Sequence, residues 1–197
     1  MTPFIISQVL LWAVVFVLGL TVLALTRQVG VLHERIAPAG ALAANSNLKV
    51  GDAAPELELN DLTGNDVKIG GENHKSTLLF FISPDCPICK TLLPALKSSL
   101  RVEQSWLSGI FVSDGGNEGT HIDYVKQYSL DDWPYILSSD VGVRFAVSKL
   151  PYAVLVDESG IIRSLGMVNS REHLESLFNA KDLGVESIQE YLSKKTA

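Results

Sequence analysis

The sequence predicts an α/β domain, a central mixed sheet flanked by helices, preceded by one transmembrane helix. Three features carry this reading. A charge-free apolar run opens the chain, a short buried strand passes directly into a helix with leucines at helical spacing, and two late strands flank a tight turn. The strand-helix-strand succession requires parallel neighbours, the late hairpin requires antiparallel ones, and one sheet holding both is mixed.

From Phe4 to Leu25 no side chain is charged, and Ser7, Gln8 and Thr21 are the polar exceptions. At a helical rise of about 1.5 Å per residue this run crosses a hydrocarbon core of about 30 Å, so residues 4–25 are expected to form a transmembrane anchor. The competing readings are a buried soluble helix and a cleaved secretory signal. A signal fits poorly because the run is long, no basic residue precedes it, and the small-residue sequence Ala41-Leu42-Ala43 lies well beyond its end. Arg27 and Arg35 follow the helix, which by the positive-inside rule alone favours a cytoplasmic domain. A dithiol that exchanges with disulfides belongs outside the glutathione-buffered cytoplasm, and on that ground the domain is expected in the periplasm, held to the inner membrane by a single pass.

Residues 26–49 carry the helix end and then Pro38, Gly40 and Asn45-Ser46-Asn47 without amphipathic period, as a juxtamembrane linker does. The globular domain is expected over 50–192. Leu57 and Leu59, then Val67 and Ile69, alternate on either side of the turn Asp61 to Gly64, a hairpin pattern. Thr77 to Ile82 is wholly apolar after its first residue, as a strand covered on both faces is. Leu92, Leu93, Leu96 and Leu100 mark a helix, Gly109 to Val112 another strand, and His121 to Tyr128 another helix. Tyr152 to Val156 and Ile161 to Leu165 flank the turn Asp157-Glu158-Ser159-Gly160. Ser170 is placed to cap a last helix through Leu174, Leu177 and Phe178, with a further helical piece after Gly184.

Of 197 residues 47% are hydrophobic, enough for one real core beside the anchor, and the net charge of -6 forms no run that suits nucleic acid. Only two cysteines occur, Cys86 and Cys89, too few for a disulfide framework, so their purpose lies in the pair. They stand where the central strand becomes a helix. Unpaired N–H groups and the positive end of the helix macrodipole favour thiolate at Cys86, making it the attacking sulfur. Cys89, one turn on, is placed to resolve a mixed disulfide by attacking Cys86. Pro87 fits at the first helical position, where an N–H has no partner anyway. Asp85 opposes thiolate formation and Lys90 favours it, and no carboxylate occurs in the strand that leads in.

Three other readings of the pair are weighed. Half a zinc site lacks its other ligands, because His33, His74, His121 and His173 are scattered; no metal and no cofactor beyond the redox disulfide is expected. Two inert buried thiols fit poorly with a proline insert at a strand end. A peroxidase of the peroxiredoxin kind needs a proline where Leu79 stands, although Ser83 suits its serine or threonine position.

Pro151, between Leu150 and a buried strand, belongs at that strand's first residue and is expected to be cis. The spacing of Cys86, Cys89 and Pro151 resembles thioredoxin-like folds. There a cis-proline lies against the C-x-x-C and the residue before it pairs its backbone with bound substrate. Pro94 resembles the helix-kinking proline of that fold. Three catalytic positions are therefore expected: Cys86, Cys89 and Pro151.

The likeness is narrower than the fold. Arg27 to Arg35 after the anchor, Ser83 to Pro94, Leu150-Pro151-Tyr152 and Ser170 to Leu177 together resemble the MauD family of methylamine utilisation accessory proteins. The resemblance implies a thiol-disulfide oxidoreductase or isomerase that serves maturation of methylamine dehydrogenase, a periplasmic enzyme. That enzyme's small subunit carries a tryptophan-derived quinone and many disulfides, and would be the protein substrate. An unidentified membrane partner would renew the dithiol. The rival functions are a non-catalytic chaperone for that subunit and a reductase for cytochrome c assembly; an accessory factor for aromatic amine dehydrogenase would look much the same.

Overall fold

The computed structural model describes residues 2–35 and 48–183. The chain divides into two compact units, Met1–Ala41 and Leu42–Ala197. The first holds helix α1 (Thr2–Arg35), whose window Ile5–Val22 has mean hydropathy 2.4 and is unburied. By length and composition it suffices to cross a membrane. The helix runs ten residues past the apolar stretch, because Thr26 to Arg35 has neither proline nor an uncapped break to stop it. The linker residues 36–47 and the helical piece expected after Gly184 lie outside the described residues.

The second unit begins with a hairpin, β1 (Leu57–Asn60) and β2 (Asp66–Ile69), paired antiparallel as expected. Asp61 closes its turn by accepting from the Thr63 and Asn65 amides at 2.8 and 2.9 Å. The main elements follow as β3 (Ser76–Phe81), α2 (Pro87–Val102), β4 (Leu107–Ser113), α3 (Glu118–Tyr128), β5 (Tyr135–Leu137), α4 (Ser139–Arg144), β6 (Tyr152–Val156), β7 (Ile162–Met167) and α5 (Arg171–Leu183). The sheet order is β5-β4-β3-β6-β7, with β4 parallel to β3 and to β5, and β6 antiparallel to both β3 and β7. This is the mixed sheet that the sequence predicts.

Strand alternation divides the core. Leu78, Phe80 and Ile82 face one layer with the α2 leucines, Cys89, Val168 and Leu174, while Leu79 and Phe81 face the other with Val67, Ile69, Val141 and Phe145. All six β3 residues are buried, as a central strand between two layers must be. Two elements leave no signal in the sequence. β5 is three residues behind Pro134 and α4 is six residues long, so neither spans enough chain to display a period.

Opposite the strand end that leads to Cys86, a polar cluster ties α5 to the sheet. Lys181 Nζ donates to Ser76 Oγ and Glu158 Oε1 at 2.6 and 2.7 Å, and lies 4.5 Å from the Trp106 ring centroid. The Lys181 hydrogen bond is the main cause that holds the Glu158 carboxyl at about 2, below its ordinary 4.5, against the opposing effect of burial. A depressed carboxyl contributes stability that is present above the unfolded value and is lost as pH falls through the folded one. Unfolding free energy is therefore expected to decline between pH 4.5 and about 2 partly through this pair. Glu158 is 43% exposed, so screening limits the effect to at most about 1 kcal/mol. Denaturant titrations of Lys181→Met across that window should show a shallower decline than the parent; an identical slope would exclude the pair as a contributor.

Candidate redox site

β3 runs straight into the site. Its last residue Phe81 pairs with Val112 on one side and Tyr152 on the other, and Ile82 N–H donates to Val112 O at 2.9 Å. The chain then turns through Ser83, which accepts from Cys86 N–H at its carbonyl (3.0 Å) and from Asp85 N–H at its hydroxyl (3.3 Å). Cys86 follows with extended backbone (φ -88°, ψ 108°) as the residue that caps α2. Its Sγ accepts from Cys89 N–H at 3.2 Å, so the sulfur occupies the place a serine or aspartate oxygen takes at other helix starts.

Cys86 and Cys89 are joined as a disulfide with Cα atoms 5.3 Å apart. Their environments differ. Cys89 is fully enclosed in the layer of Leu92, Leu93, Leu96 and Phe80, whereas Cys86 is half-buried and the intervening Ile88 is 47% exposed. Cys86 is therefore the more accessible residue of the pair. The Cys89 N–H and the N-terminus of α2 both face the Cys86 sulfur, an arrangement that favours thiolate over thiol. Pro87 occupies the first helical position and Pro94 lies inside α2.

Pro151 lies at the same sheet edge. The register Phe81↔Tyr152 sets it beside the exit of β3, and the Leu150–Pro151 peptide is cis. Pro151 is buried, Leu150 half-buried. Pro151 O accepts from Val168 N–H at 3.1 Å, which holds the end of β7 against the start of β6. Met167, paired with Tyr152, is 45% exposed, so this edge carries apolar side chains on the side facing solvent.

Among the described residues no carboxylate accompanies Cys89 in its layer, and the buried acidic or basic side chains are Asp157 and His121. Asp157 closes the β6–β7 turn, accepting from the Ser159 and Ile161 amides and from Arg163 Nε at 2.9, 2.8 and 2.6 Å. His121 sits between the Tyr135 hydroxyl (2.9 Å) and Gly115 O (2.8 Å), bracing the loop that leaves β4. Burial pushes the Tyr135 hydroxyl up to about 12, so it stays protonated as that hydrogen bond requires. Among the described residues no three His, Cys, Asp or Glu side chains gather as a metal site would require.

One side chain beside the site escapes sequence reasoning. His173 Nδ1 accepts from Asn169 N–H at 3.2 Å, while His173 N–H donates to Ser170 Oγ at 3.4 Å. The spacing Ser-x-x-His resembles a capping box, with imidazole where glutamate or glutamine is usual and the return bond made to Asn169 N–H, one residue before Ser170. The cap at Ser170 is legible in the sequence; the returning bond is not, because histidine is not an expected partner there.

Comparison with known proteins agrees with this geometry. Residues 50–184 match the AhpC/TSA family. The methylamine utilization protein MauD of Paracoccus versutus is 42% identical over 195 residues, covering 99% of this chain and 98% of that one. MauD of Methylorubrum extorquens is 42% identical over 191 residues, covering 96% and 92%. Among solved structures, a putative thiol:disulfide interchange protein DsbE from Chlorobium tepidum superposes with TM-score 0.62 at 19% identity, covering 68% of this chain and 99% of that one. The thioredoxin domain of a thiol-disulfide oxidoreductase from Bacteroides vulgatus gives TM-score 0.59 at 22% identity, covering 71% and 100%. Those two likenesses establish the thioredoxin-like fold, and the near full-length identity to the first pair goes further: the chain belongs to the MauD family of methylamine utilization proteins, within the wider AhpC/TSA family.

Proposed function

We propose that this protein is a membrane-anchored thiol-disulfide exchange factor that matures the small subunit of methylamine dehydrogenase, with its thioredoxin-like domain in the periplasm. The observation that carries the chemistry is the asymmetry of the disulfide, a half-buried Cys86 at the start of α2 bonded to a fully enclosed Cys89. In the dithiol state Cys86 thiolate attacks a substrate disulfide, forming one S–S bond and expelling a substrate thiolate. Cys89 thiolate then attacks Cys86, closing the internal disulfide and releasing the second substrate sulfur; two electrons pass from protein to substrate. Run backward, the same steps insert a disulfide, and departure of the first intermediate without Cys89 attack reshuffles one. Pro151, which starts β6 beside the exit of β3, is assigned to guide the substrate main chain, and α1 serves as the anchor. A membrane redox partner restores the starting state.

The test is capture. With Cys89→Ala, resolution is impossible and the mixed disulfide accumulates. In cells growing on methylamine, non-reducing gels and mass spectrometry should identify the dehydrogenase small subunit bound through Cys86. Recovery of an apocytochrome c instead, or of a Cys86 sulfenic acid after peroxide with no captured chain, would overturn the assignment in favour of a reductase or a peroxidase.

A further inference from the structure

Resting on that reading, we propose that neutral His173 is a positioning residue for exchange: it fixes the Val168–Asn169 corner against the Leu150–Pro151 peptide, and its protonation releases that corner. The corner is held at three points. The Val168 side chain is fully buried in the layer that holds Cys89, Val168 N–H donates to Pro151 O at 3.1 Å, and Asn169 N–H donates to His173 Nδ1 at 3.2 Å. The first two need only apolar surface and backbone. The third needs a particular protonation state, because an amide N–H can only donate, so Nδ1 must offer its lone pair and the ring proton must sit on Nε2.

An imidazolium has no lone pair to offer. Protonation therefore deletes the bond, leaves two donors facing each other, and places a positive charge in the first turn of α5, where the macrodipole disfavours it.

The charges around His173 do not pre-empt this. On α5 they are Glu172, which interacts with His173, and Arg171, committed to Glu175 at 2.8 Å. Lys181, near the other end of α5, is held by Ser76 of β3 and by Glu158, and the helix packs mainly on β7 and α2. The charge on β7 is Arg163, paired with Asp157 at the far end of the strand. The charges on α2 are Lys97, bonded to Tyr128 O, Arg101, paired with Asp132, and Lys90 in the first turn. Glu172 favours the charged ring and the helix end opposes it, so the bond from Asn169 decides which form suits the folded corner.

The full-length chain in detergent is assayed with a disulfide-containing peptide between pH 5.5 and 8, alongside His173→Ala and His173→Glu. Loss of one such bond should raise KM about two- to tenfold, with kcat little changed. For the parent that rise appears only toward low pH; for His173→Ala it is present throughout. His173→Glu, which offers the Asn169 N–H a carboxylate acceptor throughout this range, should keep the low KM across it. Hydrogen exchange at the Asn169 amide should follow the same order. An active parent whose KM and Asn169 protection match those of His173→Ala at pH 7.5 overturns the positioning role alone. A parent inert toward disulfides at every pH overturns the exchange reading, and the role built on it falls with it.

Discussion

Cys86→Ser is expected to reduce thiol-disulfide exchange by roughly 10³-fold or more, because a serine hydroxyl is not ionised at neutral pH and no second nucleophile stands at the solvent-facing position. In the proposed exchange the half-buried sulfur at the start of α2 receives the incoming disulfide, and Cys89, fully enclosed, is not placed to take over. The substitution also removes the internal disulfide, so the proper reference for its stability is the reduced parent, not the oxidised one. Exchange is measured with a fluorescent peptide disulfide, and maturation as accumulation of active methylamine dehydrogenase in a deletion strain. Both should fail while the protein level stays normal. Full dehydrogenase activity with Cys86→Ser in place would show that the thioredoxin-like surface acts by binding alone, as a chaperone does.

Much of this architecture is legible in the sequence because its strongest signals are physical necessities. The Thr77–Ile82 run, apolar after its first residue, has no stable place except between two layers, and it forms most of β3 with both faces covered. The leucines at helical spacing after Cys89 became the buried stripe of α2. The turn Asp157–Gly160 made an antiparallel pair of β6 and β7, as its residues demand. What stayed hidden was short or relational. Tyr135–Leu137 is a strand because it lies beside β4, and three residues hold no period of their own. His173 and Ser170 are three positions apart, yet only coordinates reveal that the imidazole turns back to Asn169. His121 stands in the sequence simply at the start of a helical stretch, whereas it is buried and braces the loop after β4 through Gly115. Periodicity reports what a segment buries; it is silent about which neighbour accepts a particular proton.

The second large effect concerns stability and reaches the site through packing. Phe80→Ala should lower the unfolding free energy by about 3–5 kcal/mol, the range found when a buried aromatic ring is deleted and its cavity only partly collapses. Phe80 is 1% exposed, lies edge-on to Phe111 with centroids 6.4 Å apart, and belongs to the same buried layer as Cys89 and the α2 leucines. Against a domain stability of about 5–15 kcal/mol that loss is severe, and it should exceed the Lys181→Met effect several-fold because no solvent screens it. Denaturant unfolding of the full-length chain, followed by fluorescence, is a suitable readout, since Trp133 packs on Phe111 in the same layer at 6.0 Å. The cavity also carries a chemical consequence. In the reduced protein Cys89 is protected from alkylating reagents by the layer that Phe80 helps fill, so Phe80→Ala should speed its modification under native conditions more than that of Cys86, which is already reachable. A destabilised variant whose Cys89 remains as unreactive as the parent's would mean that α2 alone, and not the layer beneath it, enforces the difference between the two sulfurs on which exchange depends.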